Sequence, residues 1–131
     1  MIVDSSALLA VILDEADGDR YIRAMVRGRP LRISAANWLE AAMVVDGRGD
    51  AAASVRFEDL VHRLRVEVVP VTVDHAYRAR TAHREYGRGN HRARLNYGDC
   101  FAYALAKLTG EPLLFKGGDF AQTDVEPALK D

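Results

Sequence analysis

The sequence predicts an α/β protein, a three-layer sandwich in which short, mostly parallel strands form a sheet with helices on both faces. Short apolar runs alternate along the chain with longer stretches whose apolar residues recur at helical spacing. Strands joined through helices pair in parallel, because right-handed crossovers place each helix on a face of the sheet. The chain has 131 residues, 49% of them hydrophobic, so it can bury a core without disulfide bonds.

Composition and charge limit the class of protein. A chain of 131 residues with 28% charged residues is typical of one globular domain, which we expect to span residues 1–131. Its one cysteine, Cys100, cannot form an internal disulfide. Charged residues begin at Asp4, so neither a secretory apolar segment nor a membrane span is indicated. We therefore expect a cytoplasmic protein that does not enter a membrane.

Elements in the first half of the chain follow from apolar spacing and capping residues. Residues 2–3 form a short buried strand, and Ser5 and Ser6 offer caps for a nearly continuous apolar helix over 7–13. Apolar residues with charges between them predict a helix over 16–27, which Gly28 and Pro30 stop. After it come a strand over 31–33, a helix over 35–45 with Ser34 as N-cap, a polar turn over 46–50 and an amphipathic helix over 51–64.

The second half repeats the alternation. A strand over 66–69 ends at Pro70, and small residues at helical spacing predict a helix over 72–86. A polar loop over 87–91 follows, and Asn96 caps a helix over 97–109 that Gly110 ends. Residues 113–115 form a fourth apolar strand, and from residue 125 onward the pattern predicts no element.

Four acidic residues lie where this topology brings strand ends and helix starts together. Asp4 and Asp119 follow predicted strands, whereas Glu40 and Asp99 lie on helices that start at the same edge. Two unit charges about 4 Å apart repel by about 4 kcal/mol at an effective dielectric near 20. Such a cluster therefore needs protonation or a cation, and oxygen ligands select Mg²⁺ or Mn²⁺.

Each acid taken alone has a simpler interpretation. Asp4 would serve as a helix N-cap worth about 1 kcal/mol, and Asp99 as a first-turn partner of the helix dipole worth about 0.3–1 kcal/mol. Glu40 would be a solvated helix residue and Asp119 a loop cap. Their joint placement at one sheet edge favours a metal site.

Arginines are concentrated in one stretch of the chain. Six of the fifteen lie within residues 78–94, where Glu85 is the one acid: Arg78, Arg80, Arg84, Arg88, Arg92 and Arg94. The stretch is either a solvated helix face with its loop or a surface for a polyanion, since phosphate contacts supply most sequence-independent affinity. On the second interpretation we expect Arg88, Arg92 and Arg94 to contact the phosphates of a polyanion near Asp99.

Other chemically capable residues have structural interpretations. Cys100 is expected to be a core thiol, because a neighbouring carboxylate disfavours the thiolate. The four histidines show no zinc-binding spacing, and we expect them at the surface, with His91 near the bound polyanion. Trp38 is expected in the core, although it and Tyr97 could also stack on bases.

Four segments, in order along the chain, carry a family resemblance. They are Ile-Val-Asp-Ser-Ser-Ala-Leu at 2–8, the helix around Glu40, Asn-Tyr-Gly-Asp-Cys-Phe-Ala-Tyr-Ala-Leu-Ala at 96–106, and Leu-Leu-Phe-Lys-Gly-Gly-Asp-Phe at 113–120. Each motif is weak alone, but together, at the scale of the whole chain, they resemble the PIN-domain VapC toxins.

This resemblance implies a PIN-like fold and a toxin of a toxin-antitoxin pair that cleaves RNA with Mg²⁺ or Mn²⁺. It assigns the metal first to Asp4 and Asp99, with Glu40 and Asp119 completing the catalytic acidic site. Ser6 matches the small hydroxyl residue that follows the first Asp, and we expect it near the substrate. The resemblance also implies a small VapB-like antitoxin whose tail covers the acidic site, and a homodimer formed through helices.

One position departs from the family pattern. Many relatives carry Asn or Asp where this chain has Gly117, so one polar group near the metal is missing. Asp124, five residues after Asp119, is a candidate substitute.

Three other classes of protein share parts of this pattern. A receiver domain needs adjacent acids after the first strand and an Asp after the third, whereas here Ser5 follows Asp4 and Pro70 follows the third strand. A haloacid-dehalogenase-type phosphatase needs a second Asp at the position of Ser6. A catalytically silent interaction domain stays open, and divalent-ion titration with Asp4→Asn as control separates it.

Overall fold

Helices and strands alternate along residues 1–130, the part of the chain that the computed structural model describes. In chain order they are β1 (Ile2–Val3), α1 (Ser5–Ile12), α2 (Gly18–Arg27), β2 (Arg32–Ser34), α3 (Ala35–Gly47), α4 (Ala51–Arg63), β3 (Glu67–Val69), α5 (Val73–Tyr86), α6 (Tyr97–Thr109) and β4 (Leu113–Leu114). A short 3₁₀ helix, Phe120–Gln122, follows β4.

The strands form one parallel sheet in the order β3-β2-β1-β4. In the centre, Ile2 of β1 is in register with Arg32 of β2 and with Leu113 of β4. At one edge, β3 pairs with β2 over three residue pairs, from Arg32 with Glu67 to Ser34 with Val69. The predicted parallel sheet is thus confirmed.

Consecutive residues of the central strands face opposite cores. Val3 and its register partner Leu114 pack with residues of α1, α2, α3 and α4. Ile2 and Leu113 pack with residues of α5 and α6. Because neighbouring side chains of a strand point to opposite faces, one core lies on each side of the sheet, and the predicted three-layer α/β class is confirmed.

The start of α1 differs from the prediction. Asp4, not Ser5 or Ser6, is the N-cap, because its carboxylate accepts a hydrogen bond from the Ser6 backbone N–H. The first acid of the predicted site therefore also orders the turn from β1 into α1.

Other boundaries shift by one or two residues. α2 begins at Gly18 rather than at residue 16, because a turn precedes it in which Asp14 has φ 53°. A Cβ at Gly18 would lie 2.8 Å from the Ala10 carbonyl oxygen, so this close approach requires glycine. The second strand begins at Arg32 rather than at residue 31, and the third at Glu67 rather than at 66.

The C-terminal residues, for which no element was predicted, run beside β4. The Leu113 N–H donates to the Glu126 carbonyl at 2.9 Å, and the Ala128 N–H donates to the Leu113 carbonyl at 2.9 Å. Leu113 and Pro127 form a parallel bridge. This segment covers the edge that β4 would otherwise leave unpaired.

Two side chains occupy the core positions expected of them. Cys100 is buried, and burial together with the Asp99 charge raises the pKa of its thiol to about 11, as expected of a core thiol. Trp38 is half-buried against the core, with its ring centroid 6.3 Å from that of Phe57. Within residues 1–130, no helix has the length and apolar character that a membrane crossing requires.

Candidate active site

Asp4 lies directly after β1, where the chain turns into α1, and is only 3% exposed. Its Oδ2 accepts hydrogen bonds from the Ser6 backbone N–H at 3.1 Å and from the Ser6 hydroxyl at 2.6 Å. Its Oδ1 is buried without a hydrogen-bond partner in residues 1–130. Burial raises the pKa of Asp4 to about 6, and the Glu40 charge adds to this rise while the Ser6 bonds oppose it. An unpartnered buried carboxylate oxygen is costly, and a cation would relieve that cost.

Ser6 supports Asp4 rather than standing apart from it. Its hydroxyl donates to Asp4 and accepts a hydrogen bond of 2.9 Å from the Lys116 backbone N–H. The side chain therefore joins the end of β1 to the loop after β4. The structure places Ser6 against the acid, and its expected contact with substrate stays a prediction.

Glu40 is held on α3 by neighbours from two other elements. The Ser5 hydroxyl donates to Glu40 Oε1 at 2.6 Å, and Asn37 Nδ2 lies 3.5 Å from the same oxygen. Asn37 Nδ2 also donates to the Gly98 carbonyl of α6 at 2.9 Å. A Cβ at Gly98 would lie 2.2 Å from Glu40 Oε2, so the carboxylate rests directly on the backbone there. This contact places Glu40 beside the start of the helix that carries Asp99.

Asp99 occupies the first turn of α6. Its Oδ2 accepts a hydrogen bond of 3.0 Å from the Asn96 backbone N–H, while its own N–H donates to Asn96 Oδ1 at 2.9 Å, so the two residues form a capping box. Burial raises the pKa of Asp99 to about 7, the Asn96 bond opposes this, and the charges of Asp4, Asp119 and Glu40 add to the rise. The other three predicted acids are thus close enough for their charges to raise the pKa of Asp99.

Asp119 and Asp124 differ in their surroundings. Asp119 is exposed in the loop after β4, in which Gly117 has φ 105°. It interacts with the other acids through its negative charge, which raises the pKa of Asp99. Asp124 instead accepts a hydrogen bond of 2.5 Å from the Tyr103 hydroxyl and pairs with Lys107 at 3.2 Å. The hydrogen bonds from Tyr103 and Lys107 hold the pKa of Asp124 below its usual value, although burial opposes them. The structure therefore does not bring Asp124 to the acidic site as a substitute for a residue at Gly117.

The four acids are neighbours, but their side chains are not arranged as a set of metal ligands. Among residues 1–130, no three acidic, histidine or cysteine side chains lie close enough together to hold a metal ion. The capping box holds Asp99, the Ser5 bond holds Glu40, and Asp119 lies in an exposed loop. The donor chemistry nevertheless fits a hard cation, because carboxylate oxygens are its preferred ligands and Asp4 Oδ1 lacks a partner.

The raised pKa values predict how the stability of the metal-free protein depends on pH. Asp4 and Asp99 bind protons more tightly in the folded than in the unfolded chain, so their contribution to the free energy of unfolding should fall from about pH 4 to about pH 7. Asp4→Asn removes one of these groups. Urea titrations in the presence of a chelator should show the variant gaining about 2–3 kcal/mol on wild type across this range. A constant difference at all pH values would contradict the buried, proton-binding Asp4.

The sequence did not predict the groups that hold Glu40. Asn37 is fully buried, and its spacing of three residues from Glu40 on one helix was a usable signal. Gly98 precedes Asp99 in the sequence, but its contact with Glu40 depends on how α3 packs on α6. The bond from Ser5 to Glu40 likewise joins separate elements.

The structure separates the six arginines of residues 78–94. Arg78 turns inward, with its guanidinium 5.0 Å from the centre of the Tyr103 ring and 3.3 Å from the hydroxyl. Arg92 and Arg94 are exposed in the loop before α6, and Arg88 lies at a groove between α5 and α6.

His91 is partly buried in this loop. Its Nδ1 accepts a hydrogen bond of 3.0 Å from the Ala93 backbone N–H, and its ring lies edge-on to Tyr86. The loop thus uses His91 to hold its own shape. His62 and His83 are exposed as expected, whereas His75 is half-buried.

Comparison with known proteins decides the family. The PIN domain family matches residues 1–126 of the chain. This chain belongs to the PIN-domain family. Within the family it is similar to Ribonuclease VapC30 of Mycobacterium tuberculosis, with 46% identity covering 95% of each chain. It is also similar to Ribonuclease VapC of Mycolicibacterium smegmatis, with 47% identity covering 95% of this chain and 97% of the relative. The resemblance to VapC toxins is confirmed.

Solved structures show the same PIN fold at lower sequence identity. The crystal structure of Mycobacterium tuberculosis VapC20, described as a sarcin-ricin loop cleaving toxin, matches with a TM-score of 0.77, 18% identity and 95% coverage of each chain. A toxin-antitoxin complex from Klebsiella pneumoniae matches with a TM-score of 0.71 and 18% identity, covering 94% of this chain and 92% of the other.

Proposed function

We propose that this PIN-domain chain is a ribonuclease that acts as the toxin of a toxin-antitoxin pair, as a single domain in the cytoplasm. The observation that carries the proposal is the buried Asp4 carboxylate. Its Oδ1 has no hydrogen-bond partner in residues 1–130, and the negative charges of Glu40 and Asp99 lie close enough to interact with it. Relatives that are 46–47% identical over nearly the whole chain are VapC ribonucleases. A site of this charge next to RNA requires a cation.

The proposed cofactor is Mg²⁺ or Mn²⁺, held first by Asp4 and Asp99. A bound ion of this kind supplies positive charge to a phosphodiester and lowers the pKa of water. The protein's own groups hold the two carboxylates in place, through Ser6 for Asp4 and through Asn96 for Asp99. Glu40 or Asp119 would orient the attacking water and accept its proton.

Gly98→Ala should separate activity from stability. Its Cβ would lie 2.2 Å from Glu40 Oε2, so the carboxylate must move, while alanine favours the helix by up to about 1 kcal/mol. We expect RNA cleavage to fall at least about tenfold, as when a support of a metal ligand is lost, with the melting temperature changed by only a few degrees.

The matched control for this variant is Gly47→Ala at the end of α3, where an added Cβ meets nothing within 4 Å. The control should cleave RNA like wild type. Equal activity of Gly98→Ala and Gly47→Ala would remove Glu40 from the proposed site.

The exposed Arg92 and Arg94 are proposed to contact RNA phosphates near Asp99. Each phosphate contact to a single strand releases about 0.7 counterions. Replacing both arginines by alanine in an Asp4→Asn background should therefore lower the slope of log K against log salt by about 1.4. Fluorescence anisotropy with single-stranded RNA measures the slope, and an unchanged slope would make this loop a solvated surface.

Two protein partners are proposed. A small VapB-like antitoxin would cover the acidic site, and the fold match to a toxin-antitoxin complex supports such a partner. A homodimer formed through helices is supported by large apolar side chains exposed on α3, where Leu39 is 51% and Met43 is 65% exposed. Both partners would contact the surface of the protein and leave its two hydrophobic cores unchanged.

Expression in bacteria without an antitoxin tests the proposed function. Wild type should arrest growth and produce new RNA ends that sequencing can locate, whereas Asp99→Asn should accumulate as folded protein without arresting growth. Growth arrest by Asp99→Asn equal to that by wild type would place the activity elsewhere. An absence of new RNA ends with wild type would favour a catalytically silent interaction domain.

A further inference from the structure

A groove of about 710 Å³ lies between α5 and the start of α6. Its apolar wall includes Ala79 and Leu95, both buried, together with the buried Cys100. Arg80, Arg88 and His83 also line it, and none of its lining residues is acidic. The groove is wide and apolar enough for a planar ring, with positive charge at its rim.

The two groove arginines are available for an external anion. Arg80 and Arg88 are both exposed, and neither forms an ion pair with another side chain in residues 1–130. In this they differ from Arg78, which is turned onto Tyr103. A guanidinium with free N–H groups suits the oxygens of a phosphate.

An exposed aromatic side chain is among the residues that line the groove. Tyr97 is 80% exposed, although an apolar ring of this size usually gains by burial, and its ring meets Phe101 edge-on at 4.9 Å between centroids. The Phe101 contact supports the ring from one side. An aromatic face beside arginines is how proteins bind bases of single-stranded nucleic acids.

The groove adjoins the acidic site because two of its lining residues are direct neighbours of Asp99. Asn96 lines the groove and forms the capping box with Asp99. Cys100 lines the groove and directly follows Asp99 in the chain. A nucleotide in the groove would therefore lie beside the part of the RNA strand that contacts Asp99.

We propose that this groove is a nucleotide-binding subsite for single-stranded RNA, in which one base flanking the cleaved bond stacks on Tyr97 and its phosphate contacts Arg80 and Arg88. The inference rests on the proposed ribonuclease function. It adds a positioning role for residues that are not themselves metal ligands, and Tyr97 becomes the residue that sets where the strand is held.

The test is a cycle that combines abasic RNA with Tyr97→Ala. The protein carries Asp4→Asn to prevent cleavage, which leaves Asn96 and Asp99 unaltered beside the groove. A short fluorescein-labelled single-stranded RNA, chosen from the wild-type cleavage ends, is made in versions with the base removed at one position at a time. Anisotropy should show one position next to the cleaved bond where base removal weakens binding roughly 5- to 150-fold. With Tyr97→Ala, intact RNA should bind as weakly as the abasic RNA, and base removal there should have no further effect.

Tyr77→Ala is the matched control, because Tyr77 is 66% exposed on α5 and does not line the groove. It should keep the full effect of base removal. For the arginines, Arg80→Gln should lower the salt slope by about 0.7, whereas Arg56→Gln on α4 should leave it unchanged.

The outcomes separate the subsite from the function on which it rests. If wild type cleaves RNA but base removal at every position weakens binding equally in Tyr97→Ala and in its parent, the groove is not a base subsite. If Tyr97→Ala leaves RNA binding intact but converts a dimer to a monomer in sedimentation, the groove belongs to a protein interface and the proposal is wrong. If wild type cleaves no RNA with Mn²⁺, the proposed function itself fails, and the subsite fails with it.

Discussion

Asp4→Asn is expected to lower RNA cleavage by at least about 100-fold while leaving the fold at least as stable as wild type. Loss of a residue that hydrogen-bonds to a metal ligand typically lowers metal affinity or activity roughly 10- to 100-fold. Asp4 is proposed to be a ligand itself, so its loss should cost at least as much. Stability should not fall, because asparagine keeps an oxygen for the Ser6 N–H and removes a buried carboxylate whose pKa is raised to about 6. Single-turnover cleavage of labelled RNA and thermal melting measure the two effects.

Asp50→Asn is the matched control for that substitution. Asp50 is also a helix N-cap, accepting a hydrogen bond of 3.0 Å from the Ala52 N–H, but it is exposed at the start of α4. The control should retain full cleavage. If Asp4→Asn and Asp50→Asn cleave RNA equally, Asp4 acts only as a cap.

Mn²⁺ or Mg²⁺ is expected to stabilise the protein by relieving repulsion among its acids. An ion at a hundredfold excess over Kd adds about 2.7 kcal/mol to the free energy of unfolding, which corresponds to about ten degrees in melting temperature for a chain of this size. The gain should be larger at pH 8 than at pH 5, because protons compete for Asp4 and Asp99 below their raised pKa values.

The Asp4→Asn, Asp99→Asn double variant provides the reference for this metal effect. Both side chains keep their size and their capacity to accept a hydrogen bond, but the site loses two charges. Millimolar Mn²⁺ should leave its melting temperature nearly unchanged. A shift equal to that of wild type would mean that the ion binds elsewhere.

The sequence predicted the fold well because its signals are local. Apolar spacing located every α-helix and strand described in residues 1–130, but not the short 3₁₀ helix Phe120–Gln122, and alternation of strands with helices predicted the parallel sheet. The predicted start of α1 was wrong because Asp4, Ser5 and Ser6 are all good N-cap residues, and backbone geometry decides which of them caps the helix. The C-terminal run beside β4 was missed because backbone hydrogen bonds to Leu113 hold it, and these leave no side-chain pattern.

The sequence predicted that the four acids lie near one another, but not which groups hold Glu40 among them. The rule that ligands gather at the carboxyl ends of parallel strands identified Asp4 and Asp99 as neighbours, and the structure places their charges within reach of each other. The bond from Ser5 to Glu40 and the contact of Glu40 with Gly98 depend on how α3 packs against α1 and α6. Sequence spacing does not contain those distances. That Asp124 is engaged by Tyr103 and Lys107 was hidden for the same reason.

The most direct test of the central claim is RNA cleavage by the purified chain as a divalent ion is removed and restored. Wild type treated with a chelator should be inactive, Mn²⁺ or Mg²⁺ should restore cleavage at the same RNA ends, and Asp4→Asn purified in parallel should stay inactive at every ion concentration. Cleavage by the chelated wild-type protein, or restoration of cleavage in Asp4→Asn at the wild-type ion concentration, would contradict a metal-dependent ribonuclease site built on Asp4.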